Sequence, residues 1–162
     1  MRILGDKTHS CTCTPFQIIR YQKRISGPLL DRIDIHLDVP AVKVEKLTVN
    51  EGLKSENSKS IRKRIQIARD IQTKRFVKVK KTITIINNAD MGSKDIRDFC
   101  KLSPESVSLL SLAVSKMNLS ARSYHRVIKL AQTIADLAES SVIHSPHIAE
   151  ALQYRPRANS LI

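Results

Sequence analysis

The chain has 162 residues, room for one domain or two small ones, and 41% apolar side chains from which to build a core. Aromatic side chains make up only 4% and tryptophan is absent, which argues against base stacking as the main route to single-stranded nucleic acid. A formal charge of +13 and a pI near 10.0 favour a polyanionic partner: nucleic acid, nucleotide phosphates or an anionic membrane surface. No apolar run is long enough to span a bilayer, and the N-terminus carries no secretory pattern. The odd count of three cysteines leaves at least one thiol unpaired within the chain, so cytoplasmic residence is expected.

Residues 1–10 are polar, with Gly5-Asp6 as a turn signal. His9, Cys11 and Cys13 follow closely, and imidazole and thiolate are the donors zinc prefers. The Cys-x-Cys spacing has no second pair nearby, so these are weak zinc candidates set against two free loop thiols. Thr14-Pro15-Phe16-Gln17 predicts a helix over 15–25, with Thr14 as N-cap and Gln17 as capping-box partner. Arg20 and Arg24 share a face of it. Ser26-Gly27-Pro28 breaks the pattern. From Ile33 the chain alternates strictly: Ile33, Ile35, Leu37 and Val39 against Asp34, His36 and Asp38. That alternation predicts a strand with one buried face, ended by Pro40 and preceded by Arg32.

Gly27-Pro-Leu-Leu-Asp-Arg-Ile-Asp-Ile-His36 resembles the equivalent segment of magnesium-chelatase-like AAA+ ATPases, most closely the competence-related ComM/YifB branch. The resemblance implies that Arg32 is the arginine finger, acting in trans on ATP bound by the neighbouring subunit. A fixed charge with planar donors suits a transferring phosphoryl group. The alternative is an arginine at the start of the strand, held in a surface ion pair. Relatives often carry a Cys-Pro-Cys-Gly upstream of this region that is missing here, so any zinc site would be half present.

Residues 41–59 read as a connector ending in a polar, turn-rich linker over 49–59. A helix is predicted over 60–75, with Ile61, Ile65, Ala68 and Ile71 inward. Its outer face would carry Arg62, Lys63, Arg64, Arg69, Lys74 and Arg75, continued by Lys78, Lys80 and Lys81. This is the densest basic patch and the candidate nucleic-acid contact, blind to sequence because it would touch phosphates; a solvated basic face is the alternative. Residues 76–86 are β-rich, as a strand or an extended connection.

Four short helices should follow. The first is capped by Ser93 with Ile96, Phe99 and Cys100 inward. The second starts at Ser103-Pro104 with Val107, Leu110, Val114 and Met117 inward. The third opens at Ser120 with Tyr124, Val127, Ile128, Ala131, Ile134, Ala135 and Ala138 buried, and the last at Ser145-Pro146 with Ile148 and Leu152 inward. Together they predict a compact bundle, followed by a frayed tail from Arg155 onward. Ser120-Ala-Arg122-Ser-Tyr-His-Arg126 and its continuation to Leu137 resemble the lid helix of the same family. That implies Arg122 as the nucleotide-sensing (sensor 2) arginine, with Arg126, one turn on, as a structural residue or a weaker second contact. A phosphate at a helix N-terminus makes physical sense of the placement.

The sequence contains no Gly-x-x-x-x-Gly-Lys-Ser/Thr loop and no strand ending in paired acids. The chain is therefore expected not to hydrolyse ATP by itself, although ATP and Mg2+ are the implied cofactors of the full-length family protein. The fold class expected is α+β and mostly helical: the end of an AAA+ core over 1–48, a linker over 49–59, a helical lid domain over 60–155 and a tail over 156–162. It would be a truncated or split gene product, or an excised C-terminal region. The resemblance implies the C-terminal part of a hexameric, DNA-acting motor of the competence or branch-migration type, with no membrane partner. The alternative is a stand-alone basic helical module that binds nucleic acid through Arg62, Lys63, Arg64 and Arg69, without ATPase activity.

Overall fold

The computed structural model describes residues 11–37, 39, 56–77 and 85–155. The expectations for His9, for the connector up to residue 55, for residues 78–84 with their lysines and for the tail beyond Arg155 lie outside these residues. The chain divides into two units: a first, described over residues 11–33, and a second from Asp34 to Arg155.

In the first unit, α1 spans Pro15–Gln22. The capping box forms as the sequence predicts: Thr14 Oγ1 accepts from the Gln17 amide, and the Thr14 amide donates 2.9 Å to Gln17 Oε1. Gly27-Pro28 does more than break the chain. Pro28, with its preset φ, sits in the first turn of a short helix, α2 (Gly27–Leu30).

Of the strand expected over 33–39, the described residues 33–37 and 39 form none, and Asp38 and Pro40 lie outside the described residues. Residues 33–37 and 39 have no ladder partner among the described residues, and the apolar side chains are exposed, Val39 to 89%. Alternation gives a strand only where a neighbour supplies the other half of the hydrogen bonds. Here the His36 amide instead donates 2.9 Å to the Tyr154 carbonyl. The β pairing among the described residues is one isolated parallel bridge, Leu102 to Ile143.

The second unit is a helical bundle. Its first helix, α3 (Ser58–Val77), starts where Asn57 Oδ1 accepts 2.8 Å from the Ser60 amide. It runs two residues further at each end than the sequence predicts. Its buried positions are Ala68, Gln72 and Phe76, while Ile61 and Ile65 stay exposed, against expectation. Phe76, read as β-rich, belongs to this helix and meets Phe99 edge-on at 5.5 Å.

A single 3-10 turn, Asn88–Asp90, leads to α4 (Ser93–Phe99), whose N-cap is Gly92 rather than Ser93. Asp95 Oδ2 accepts 2.9 Å from the Gly92 amide and closes the turn. Ile96 and Cys100 are buried as expected.

Next is α5 (Pro104–Met117), capped by Ser103 and ended by Asn118 in the left-handed conformation at φ 48°. Its buried stripe is Ser106, Leu110 and Ala113; Val107 and Met117 are exposed. The helix is turned because Ser106 Oγ donates 2.9 Å to the Ile143 carbonyl, at the same place where Leu102 bridges Ile143.

The centre of the bundle is α6 (Ala121–Leu137). It packs against α3, α4 and α7 (Ser145–Gln153). The core joins Val127, Ile128, Ala131 and Ala135 of α6 to Leu110, Ile143, Ile148 and Ala151. Tyr124 and Ala138, expected inside, are exposed, and Ile134 is half-buried. The positions that replace them are polar: Ser123, Gln132 and Asp136.

These polar groups lock α3 to α6. The Asp136 carboxylate is fully buried and forms a two-pronged ion pair with Arg75, which is 14% exposed. Arg75 therefore leaves the basic outer face to which the sequence pattern assigned it. Asn88 bridges the pair: its Oδ1 accepts 2.9 Å from Arg75, and its Nδ2 donates 2.8 Å to Asp136 and 3.0 Å to Thr133. Gln132 Nε2 donates a further bond to Asp136 at 3.1 Å.

Candidate nucleotide-facing end of the central helix

The first turns of α6 gather the residues that could face a phosphate. Ser120 is the N-cap; its Oγ accepts 3.1 Å from the Ser123 amide. The first turn contains no acidic residue, although a carboxylate there would complement the helix dipole. Arg122 occupies this turn, exposed, with no hydrogen bond or ion pair among the described residues. Arg126, one turn on, is half-buried, and its Nη1 lies 2.7 Å from Asp34 Oδ1. Tyr124 and His125 touch edge to face at 5.6 Å.

Arg155 reaches the same turn. Its side chain is only 6% exposed, and its Nη2 donates 2.7 Å to Ser123 Oγ. The expectation that the frayed tail begins at Arg155 is therefore corrected: this residue is anchored in the bundle. Sequence reading missed Arg155 and Asp34 because both contacts join residues far apart in the chain. The spacing of Ser123 from Val127 and Ala131 was the one local signal that Ser123 lies on the buried face.

Arg32 belongs to the first unit, directly after α2. Its side chain is exposed, and its amide donates 3.0 Å to the Leu29 carbonyl. In the same unit the Arg24 guanidinium lies over the Tyr21 ring at 5.7 Å. Cys11 and Cys13 are free thiols. The hydrogen bond it shares with Cys11 and the charge of Cys11 hold the Cys13 thiol above its ordinary range. No group of three or more metal-ligating side chains occurs among the described residues.

On α3, Arg62, Lys63 and Arg69 are exposed and make no ion pair among the described residues, while Arg64 pairs with Glu56 at 3.1 Å. Of the six helix cations assigned to the basic face, Arg64 is paired with Glu56 and Arg75 is drawn inside by Asp136, while Arg62, Lys63, Arg69 and Lys74 are exposed with no carboxylate partner among the described residues. No helix of the described residues is long and apolar enough to cross a membrane.

Two family descriptions match the chain. "Magnesium chelatase, subunit ChlI C-terminal" matches residues 55–155, and "Magnesium chelatase, subunit ChlI" matches residues 2–47. The competence protein ComM of Haemophilus influenzae is 41% identical over 148 residues, 91% of this chain and 27% of that protein. YifB of Escherichia coli is 39% identical over 145 residues, 88% of this chain and 26% of that protein. YifB of Salmonella typhimurium is 34% identical over 143 residues, with the same shares. The chain thus spans about a quarter of the length of these relatives. On these matches, the chain belongs to the magnesium-chelatase-like AAA+ family, of the ComM and YifB type.

Proposed function

We propose that this chain contributes the C-terminal, nucleotide-responsive part of a hexameric ATP-driven motor that acts on DNA. The observation that carries this reading is the first turn of α6. Arg122, exposed and unpartnered among the described residues, stands at the positive end of a helix whose first turn holds no acid. An incoming phosphate would supply the missing negative charge. Arg122 then senses the nucleotide through the lid, and Arg32 of one subunit reaches the ATP of the next. An arginine that works in trans requires a neighbour, which is the support for the hexamer.

The residues fit the nucleotide better than the metal. Exposed guanidiniums suit phosphate oxygens, whereas Mg2+ takes carboxylate, water and phosphate oxygens, and the described residues hold no cluster of acids for it. When bound, ATP with Mg2+ would supply the phosphoryl chemistry. This chain's part is to place two fixed charges beside it and hold their helices in register.

The test joins the chain to the preceding ATP-binding part of a ComM-type relative and measures ATP turnover with and without DNA. Arg32→Ala and Arg122→Ala should each lower turnover, by up to about 10³-fold for a finger. Arg32→Ala should leave nucleotide binding intact. Full activity in both variants would remove the motor reading.

A second reading has its own observation: Arg62, Lys63 and Arg69 lie exposed along one helix without acidic partners among the described residues. On that reading the chain is a basic module that binds nucleic acid by charge. Salt-sensitive, sequence-independent DNA binding by the chain alone would support it.

A further inference from the structure

Arg155 is buried at the end of the bundle. A guanidinium withdrawn from water must recover its solvation through hydrogen bonds. Arg155 is 6% exposed, and it sits at the N-terminal end of α6, where the helix dipole already disfavours a cation. One contact it makes joins it to the cap: Nη2 donates 2.7 Å to the Oγ of Ser123, which is itself buried. Ser123 Oγ also receives a bond from Ser120 Oγ at 3.2 Å, and the Ser123 amide closes the cap on Ser120 at 3.1 Å. The cap, Ser123 and Arg155 are therefore one connected unit, and between the cap and Ser123 stand the exposed Ala121 and Arg122, of which Arg122 carries the charge. On the neighbouring turn, Asp34 occupies Arg126 at 2.7 Å.

We infer that Arg155 is a positioning residue for Arg122. By gripping Ser123 it fixes the first turn of α6, so that Arg122 is presented to an anion while Arg126 is held by Asp34. The inference rests on the proposed nucleotide-sensing role of Arg122 and deepens it. It also reassigns Arg126 from second nucleotide contact to the partner of Asp34.

The experiment is a double-mutant cycle in the chain joined to the ATP-binding part of a ComM-type relative, read as kcat/KM for ATP. If Arg155 acts through Arg122, Arg155→Ala lowers kcat/KM, and the Arg122→Ala/Arg155→Ala double variant loses no more than Arg122→Ala alone, within about twofold. Ser123→Ala removes the acceptor, leaves the guanidinium in place and should show the same non-additivity. Arg155→Lys keeps the charge but loses the planar fork, and should recover only part of the activity. Thermal melting of each variant separates loss of fold from loss of presentation. Losses that multiply would overturn the positioning role and leave Arg155 a structural residue. Unchanged turnover in Ser123→Ala, beside a clear loss in Arg122→Ala, would do the same. An Arg122→Ala variant with full turnover would sink the sensing role itself, and the inference with it.

Discussion

The bundle should depend on one ion pair more than on any single apolar contact. Asp136 is fully buried and accepts from Arg75, Asn88 and Gln132, three side chains drawn from three segments. Asp136→Ala removes all of these acceptors at once and leaves the Arg75 guanidinium, 14% exposed, without its counter-charge. Removing one partner of a buried pair costs about 3–5 kcal/mol, which for a domain of this size lowers Tm by roughly 10–20 °C. The assay is thermal unfolding of the chain followed by far-ultraviolet circular dichroism. Arg75→Met/Asp136→Leu, which removes both charges and keeps the volume, should recover most of the loss, because the penalty comes from the orphaned charge. An Asp136→Ala chain that melts with the parent would refute the view that this network locks α3 to α6. A double variant as unstable as Asp136→Ala would show that the polar bonds themselves, not the stranded charge, are what matters.

Other outcomes follow from packing and charge. Leu110→Ala empties the junction of α5 with the core and should cost about 2–5 kcal/mol in denaturant unfolding. Burial pushes the Cys100 thiol from an ordinary 9.0 up to about 11, so at neutral pH a thiol-alkylating reagent should label Cys11 and Cys13 in the folded chain and Cys100 only after unfolding. The sign of the linked pH effect follows: the folded state prefers the protonated thiol. The stability Cys100 contributes is full below about pH 9 and is lost as pH rises toward and through about 11; a Cys100→Ala chain should lose that part of the alkaline decline. If the basic face of α3 binds DNA, replacing Arg62, Lys63 and Arg69 by Ala should weaken binding equally for all sequences. It should also flatten the slope of log K against log salt by roughly 0.9 for each phosphate no longer neutralised.

Local chemistry in the sequence determined where most helices lie. Thr14 with Gln17, Ser103 before Pro104, and Ser120 mark helix starts, because a cap is satisfied by residues three or four positions away; the last helix is instead capped by His144, before Ser145-Pro146. The motifs around Arg32 and Arg122 pointed to the family for the same reason: each is a short run that keeps its meaning without its surroundings. The rotation of each helix about its axis was less legible. On α5 the pattern favoured Val107 and Met117 beside Leu110, but Ser106, bonded to the Ile143 carbonyl, and Ala113 are buried with Leu110 while Val107 and Met117 are exposed. Charged residues read from sequence as surface or tail were misjudged where their partner lay far along the chain, as Arg75 with Asp136 and Arg155 with Ser123 show. Among the described residues the strand expected over 33–39 failed for a related reason: a helix satisfies its own backbone, whereas a strand takes half of its hydrogen bonds from another segment. Sequence alone settled what closes within a few residues. Tertiary structure decided which polar side chains go inside, because burying a charge is tolerable only where a distant partner meets it.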